Sequence, residues 1–441
     1  KLIGLNKEDF DSYVSNGSIN LSNARLIPTL KVGDEMSLTS IFLSSLRLVK
    51  EFRHKIFSQI KLPKNGKAYY FTEVEFKDKS PQRFDGLILI VVGGKIKDAV
   101  VFEMKNKNNP VDEIQIKDYV KLCKSLGINK LVTISNEFVN HPSKSPINIK
   151  AQIFKKFNIY HFSWTYIMTI GRLLLFDNDE NIDDDDQVEI MKEVINHFDN
   201  KSSNISGYSK MNNKWKEVSE KVNSKATLYM KDDDVHKTAL SWNQEERNLA
   251  LMLSRELGVL VKSKSATTKD NLDKNKKTLV NSYQLKSSLI VKNAVSNINI
   301  TSDFLTRTIS ITQEINPPTN RGSVAQLTWL IKQINNCEKK SFEEYNKIKN
   351  NLWLEANIKR TSRDLKIKFD DVVELYDDIK TKEISTFKLI YVMNLGKKFT
   401  QPTSFVNILE SMLLDYYKGF IQHLKNYIPP APKIKEKVEK G

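Results

Sequence analysis

Asp85, Glu103 and Lys105 are the residues whose types and spacing best suit chemistry. Asp85 lies near the start of the apolar run "RFDGLILIVV" (83–92), and Glu103-Met104-Lys105 closes the run "AVVFEMK" (99–105). The intervening "GGKIKD" (93–98) reads as a hairpin turn. Antiparallel pairing sets the start of one strand beside the end of the next, and Glu103 and Lys105, two apart, point to one face. The three side chains therefore converge at one edge of a sheet. Two carboxylates at that distance repel unless a cation lies between them. A hard divalent ion accepts oxygen ligands of this sort and keeps waters for reaction. The neighbouring lysine can orient or deprotonate the attacking water, or stabilise charge developing on a phosphate. The plainer readings are a turn cap for Asp85 and a surface ion pair for Glu103 and Lys105.

These residues need a rigid frame, and the flanking sequence supplies one. "AYYFTEVEF" (68–76) is rich in aromatic and β-branched residues and reads as a strand. With the two runs above it makes an antiparallel meander, and the near-continuous apolar runs imply cover on both faces. Ahead of it, "EMSLTSIFLSSLRLVKEFRHKIF" (35–57) reads as one helix with Asp34 as N-cap. Residues 8–20 read as irregular or short helical structure. After the meander, a helix is expected from Val111 to Leu126, with Ile114, Ile116, Tyr119, Val120, Cys123 and Leu126 at helical spacing and Gly127 ending it. Strands follow at "NKLVTISN" (129–136) and "YHFSW" (160–164), then a helix from Thr165 to about Leu175. This order describes an α/β domain ending near residue 178.

Asp85, the hairpin, and Glu103-x-Lys105 on a β-meander resemble the PD-(D/E)xK nuclease superfamily. Arg83-Phe84-Asp85-Gly86 stands where the proline of that name would be. The resemblance extends to Gln115-xxx-Tyr119 on the following helix, the RecB-like variant of the motif, and to Glu35 at the start of the first helix. Gln115 and Tyr119, four apart, share a helix face. The resemblance covers about residues 34–136, with an outer limit at 178, and implies a restriction-endonuclease-like fold with a mixed central sheet flanked by helices. It implies Mg²⁺ or Mn²⁺ held by Asp85, Glu103, the Met104 carbonyl and Glu35, with Lys105 positioning the water. Gln115 and Tyr119 would orient substrate or the lysine. Glu73 and Glu75 share a face of the first strand, and Glu73 is a further candidate for the metal site. Asn106, Lys107 and Asn108 follow the reactive strand and could contact phosphates. Glu35, Gln115 and Tyr119 also have ordinary readings as a first-turn acid and as helix residues facing the core.

Bulk properties agree with an anionic partner. The 441 residues exceed one ordinary core, so two or three domains are expected. The formal charge of +16 favours nucleic acid first and a membrane surface second; drift towards Lys, Asn and Ile is the alternative. Cys123 and Cys337 cannot build a disulfide framework or zinc cluster, which suggests a reducing, cytoplasmic setting. No run of 18 apolar residues marks a membrane span, and Lys1-Leu2-Ile3-Gly4 does not read as a signal peptide. The six histidines show no metal spacing, and no Walker-type loop is present. The acidic run "DNDENIDDDDQ" (177–187) lacks the spacing of a calcium loop and reads as a linker and helix N-terminus.

Residues 179–260 read as a helical connector. The Lys-rich "KSKSATTKDNLDKNKK" (262–277) reads as a linker or phosphate-contacting loop. Residues 278–428 read as an α+β C-terminal domain with strands in 278–315 and 386–395, and helices at 324–334, 342–356 and 404–427. Residues 429–441 read as a disordered tail. The functional expectation is a metal-dependent deoxyribonuclease in prokaryotic antiviral defence or restriction, acting on DNA rather than RNA, with a protein partner or homo-oligomer left open. The alternatives are a non-catalytic nucleic-acid-binding or scaffolding protein on a nuclease-like fold, and an RNase.

Overall fold

Two glycines in the left-handed region, Gly93 (φ 57°) and Gly94 (φ 74°), fold the chain back between β3 (Arg83–Val92) and β4 (Lys95–Met104). Two successive positive φ values suit the tight hairpins whose twist matches that of the strands. Val92 pairs with Lys95 next to the turn, and the ladder runs back to Gly86 opposite Phe102. Asp85 and Glu103 lie one step further along. The structure, a computed structural model, describes residues 1–24, 33–106, 109, 111–139, 142–143, 157–176, 182–205, 207–264, 271–361 and 364–428.

The described chain is mixed α/β and divides into two units. The first is Lys1–Ser209 with Trp242–Lys269, and the second is Lys210–Ser241 with Asp270–Gly441. In the first unit, β1 (Ile19–Asn23), β2 (Lys67–Phe76), β3 and β4 pair antiparallel in that order; β5 (Lys130–Ser135) and β6 (Asn158–Ser163) then add parallel to β4. Both faces are covered. Val100, Phe102 and Met104 join a core with Leu38, Phe42 and Leu46 of α2 (Glu35–Leu48) and with α5 (Trp164–Phe176). Ala99 and Val101 face the opposite core, with Phe10 of α1 (Lys7–Ser15) and Ile116, Val120 and Cys123 of α4 (Glu113–Leu126).

Several expectations need correction. The short helix read within residues 8–20 is α1, but an additional strand, β1, begins at Ile19 and pairs with β2. The helix over 35–57 is two helices, because Val49 is extended (φ −108°, ψ 106°) and α3 spans Lys50–Gln59. Val49 is fully buried, and Arg53 donates to the Leu46 and Arg47 carbonyls at 3.1 Å, satisfying groups a continuous helix would have used. Asp34 occupies the N-cap position of α2 without a side-chain cap bond. Ile114, expected on the buried stripe of α4, is 70 % exposed. Asp112 caps α4 through Ile114 N–H at 3.0 Å, and Gly127 (φ 79°) ends it.

The stretch 179–260 is helical where described but divides between the units. Asp185–Asp199, capped by Asp184, belongs to the first and Lys214–Asn223 to the second, while Asp233–Leu257 contributes to both. In the second unit, the strands 365–368, 352–358, 384–394, 308–315, 298–303 and 284–290 pair antiparallel in that order. The helix expected over 342–356 stops at Ile348, and Leu352–Ile358 is a strand whose alternate residues Leu352, Leu354, Ala356 and Ile358 are buried. Part of the Lys-rich run is helical, over Asn271–Ser282, while residues 265–270 and the expected tail, 429–441, lie outside the described residues. Among the described residues no helix is long and apolar enough to cross a membrane.

Candidate active site

Alternation on β2 and β3 slips at the same row. Tyr69, Phe71, Leu87, Leu89 and Val91 face the α4-side core, as an odd-numbered set should. Beyond Glu73 and Asp85, however, the even-numbered Val74, Phe76 and Phe84 face that core. Glu73 has φ 54°, and two residues of β2, Glu73 and Val74, oppose Leu21 alone on β1. This is a β-bulge, which re-aims side chains at its row. Glu73 therefore stands between the Thr72–Gly86 and Val74–Phe84 pairs, at the level of Asp85. Gly86, next to Asp85, admits α2 closely: a Cβ there would lie 2.8 Å from Leu43 Cδ1 and 3.3 Å from Phe102 Cβ.

Asp85 reaches across to β4, where its Oδ2 accepts the Met104 N–H at 2.7 Å. Glu103 is 0 % exposed, and the Lys105 ammonium lies 2.5 Å from its Oε1. Neither carboxylate oxygen of Glu103 has a hydrogen bond of good geometry within the described residues. Burial pushes the Asp85 carboxyl well above the usual range, and the Glu103 charge adds to this; the Met104 N–H and Lys105 oppose it. Burial alone would lower Lys105, but its contact with Glu103 and the charges of Glu103, Asp85 and Glu35 outweigh that and raise it. The lysine is thus held as a cation among carboxylates. Its backbone is fixed on two sides: its N–H donates to the Ile134 carbonyl at 2.8 Å, and its carbonyl accepts from Trp164 Nε1 at 2.9 Å.

Helix α4 grips the strand leading into Asp85. The Tyr119 hydroxyl donates to the Arg83 carbonyl at 2.6 Å and accepts from Gln115 Nε2 at 3.0 Å. Its ring meets Phe84 edge-on, with centroids 5.0 Å apart. Burial, with Glu103 and Asp85 adding, pushes the Tyr119 phenol far up, so it stays a neutral donor. Glu35 approaches from α2, and its Oε1 accepts from Asn106 N–H at 2.9 Å and Asn109 Nδ2 at 3.0 Å. Glu73 is half-buried and pairs with Arg83 at 2.7 Å. Burial raises its carboxyl against the pull of Arg83, with the Asp34 and Glu103 charges adding to the rise.

Asp85, Glu103, Lys105, Gln115, Tyr119, Glu35 and Glu73 are therefore brought to one edge. Asn106 is not available to phosphates there. It is 1 % exposed, and its Nδ2 donates to the Gly33 and Ser203 carbonyls at 2.9 and 2.6 Å. Lys107 and Asn108 lie outside the described residues. Arg83, which neutralises Glu73, and Trp164, which holds Lys105, were not foreseen. Trp164 acts from 59 residues away, where no local pattern marks it, and Arg83 reaches Glu73 across the pairing of β2 and β3.

Among the described residues, no group of three or more His, Cys, Asp or Glu is arranged to hold a metal ion. Mg²⁺ needs fewer protein ligands than that, because it keeps several waters and takes one or two carboxylates. The fully buried Glu103 carboxylate, paired with Lys105 through one oxygen and lying beside Asp85, fits that requirement by charge and by donor type. No protein-family model matches the chain, and no curated protein matches it.

Proposed function

We propose that this protein is a metal-dependent nuclease that hydrolyses phosphodiester bonds of DNA, built on a restriction-endonuclease-like first unit. One observation carries the reading: Asp85 and Glu103 meet beside the charged Lys105, and the Glu103 carboxylate is wholly buried without a hydrogen-bonded partner of good geometry. Lys105 offsets one negative charge, but two carboxylates buried side by side still repel, and a divalent cation between them would relieve that. The mixed sheet, with the meander followed by α4 and a parallel strand, supports the same reading.

Asp85 and Glu103 would hold the ion, with Glu35 and the Met104 carbonyl as the further candidates. A bound Mg²⁺ would supply Lewis-acid stabilisation of charge on the scissile phosphate. Lys105, charged and fixed at its backbone, would orient the attacking water and offset charge as it develops. Tyr119 and Gln115 would hold the Arg83–Asp85 strand in place rather than touch the reacting atoms. The experiment is plasmid cleavage with Mg²⁺ or Mn²⁺, comparing wild type with Asp85→Ala and Lys105→Ala. Loss of cleavage in both variants is expected. Cleavage that survives both substitutions would sink the assignment, and preference for an RNA substrate would replace DNA with RNA.

A further inference from the structure

The second unit carries 35 Lys and Arg against 24 Asp and Glu, most of the surplus of the whole chain. Part of it surrounds an aromatic side chain. A cavity of about 530 Å³ is lined by Arg321, Thr328, Trp329, Lys332 and Lys380. Thr328, Trp329 and Lys332 lie on the helix Ser323–Lys340, and Trp329, half-buried, lines the cavity. The other wall comes from Lys380, which follows the short helix Leu375–Ile379. Two hydrogen bonds hold the walls together: Ser323 Oγ donates to the Ile379 carbonyl at 2.7 Å, and Thr328 and Tyr376 share one between hydroxyls at 3.0 Å. Lys380 pairs with Asp377 at 2.6 Å, whereas Arg321 and Lys332 are in none of the ion pairs among the described residues.

We infer that this groove binds single-stranded nucleic acid, with one base on the Trp329 ring and the flanking phosphates at Arg321, Lys332 and Lys380. Every base has a π-face, so an indole beside a row of cations holds a strand without reading its sequence. The charge complements a polyanion. A duplex offers no unstacked base to the indole, which makes a single strand the better occupant. The groove's chemistry does not depend on the carboxylate edge of the first unit, so it stands or falls separately from the nuclease reading.

The chain has five tryptophans. Trp164, Trp215 and Trp242 are fully buried, and Trp353 lies beneath Lys366, 5.5 Å from its ring. Indole emission can therefore report on Trp329, with Trp353 as the control. Binding of a labelled 20-mer of dT or U to the full chain is measured by anisotropy and indole quenching, in chelator so that no cleavage intervenes. Trp329→Ala is expected to weaken binding roughly 10-fold or more, the usual consequence of losing one base–aromatic stack. Trp329→Phe should retain most of the affinity while losing most of the quenching, and this holds the test if the alanine variant fails to fold. Arg321→Ala with Lys332→Ala should lower the slope of log affinity against log salt by about 0.7 for each phosphate no longer neutralised. Wild-type affinity in Trp329→Ala and in the double charge variant would overturn the inference. So would equal loss in Trp353→Ala, equal affinity for duplex, or saturation of the quench by a mononucleotide at the same concentration as by the strand.

Discussion

Replacing Asp85 by asparagine separates the cost of a buried acid pair from its use. Burial and the Glu103 charge hold the Asp85 carboxyl well above its ordinary range, so at neutral pH its ionised form works against the folded state. Asparagine keeps an oxygen for the Met104 N–H, which Asp85 accepts at 2.7 Å, and removes the charge. The folded value is raised, so the favourable contribution of the protonated acid is complete below the unfolded value of about 4. It is lost as pH climbs through the raised folded value. Each unit of that rise is worth about 1.4 kcal/mol at neutral pH. Metal-free Asp85→Asn should therefore be more stable than wild type, with a midpoint roughly 3–6 °C higher for each such unit in a domain of this size. Mg²⁺ should reverse the order. An ion bound only by the folded state adds about 2.7 kcal/mol at one hundred times its dissociation constant, and the asparagine variant should gain little of it. Thermal unfolding in chelator and in stepped Mg²⁺, each across mildly acidic to neutral pH, measures both effects. A metal-free variant less stable than wild type, or equal stabilisation of the two proteins by Mg²⁺, would refute the reasoning.

Tyr119→Phe removes the donor to the Arg83 carbonyl and the acceptor for Gln115. A loss of about 1–3 kcal/mol in chemical unfolding is expected from the unsatisfied carbonyl, together with slower cleavage, whereas unchanged stability would show that α4 does not hold this strand. His161 is 1 % exposed, and burial lowers it from 6.5 to about 4. Because its folded value is depressed, the stability it contributes is present above pH 6.5 and lost as pH falls towards 4. The amount is about 3 kcal/mol at most. Stability measured against pH should flatten over that window in His161→Gln, and an unaltered slope would exclude this histidine as the source.

The frame of the first unit was legible because its strands and its fourth helix announce themselves locally. "FDGLILIVV" and "AVVFEM" are too apolar for anything but buried strands, and Gly93-Gly94 admits little but a tight turn. The fourth helix carried its periodicity and its stop at Gly127, whereas its start, expected at Val111, lies at Glu113 behind the Asp112 cap. What was not legible depends on contacts between distant residues. Val49 breaks a helix whose periodicity runs straight through it, because Arg53 folds back onto the carbonyls of the preceding turn. "LWLEANI" fits either period, and only its place between two neighbouring strands makes it extended. At the candidate site the spacing of Asp85, Glu103 and Lys105 was enough to place them at one edge. The burial of Glu103, the loss of Asn106 to the carbonyls of Gly33 and Ser203, and the support of Lys105 by Trp164 were invisible.

The slip in alternation shared by β2 and β3 works like a dislocation in a crystal. On either side of it the lattice is regular, with aromatic and aliphatic residues filling the same core; only at the fault do two acids stand where the pattern leaves room for them. Sequence length is therefore part of the site. Deleting Glu73 would heal the fault on β2 and return that strand to strict alternation. Phe71 and Val74 would then stand two apart, as a regular strand requires of residues sharing a face. An engineer who idealised this sheet for stability would erase the row at which its acids gather. Conversely, a single extra residue in a well-packed strand is a compact way to expose an acid inside an otherwise apolar sheet.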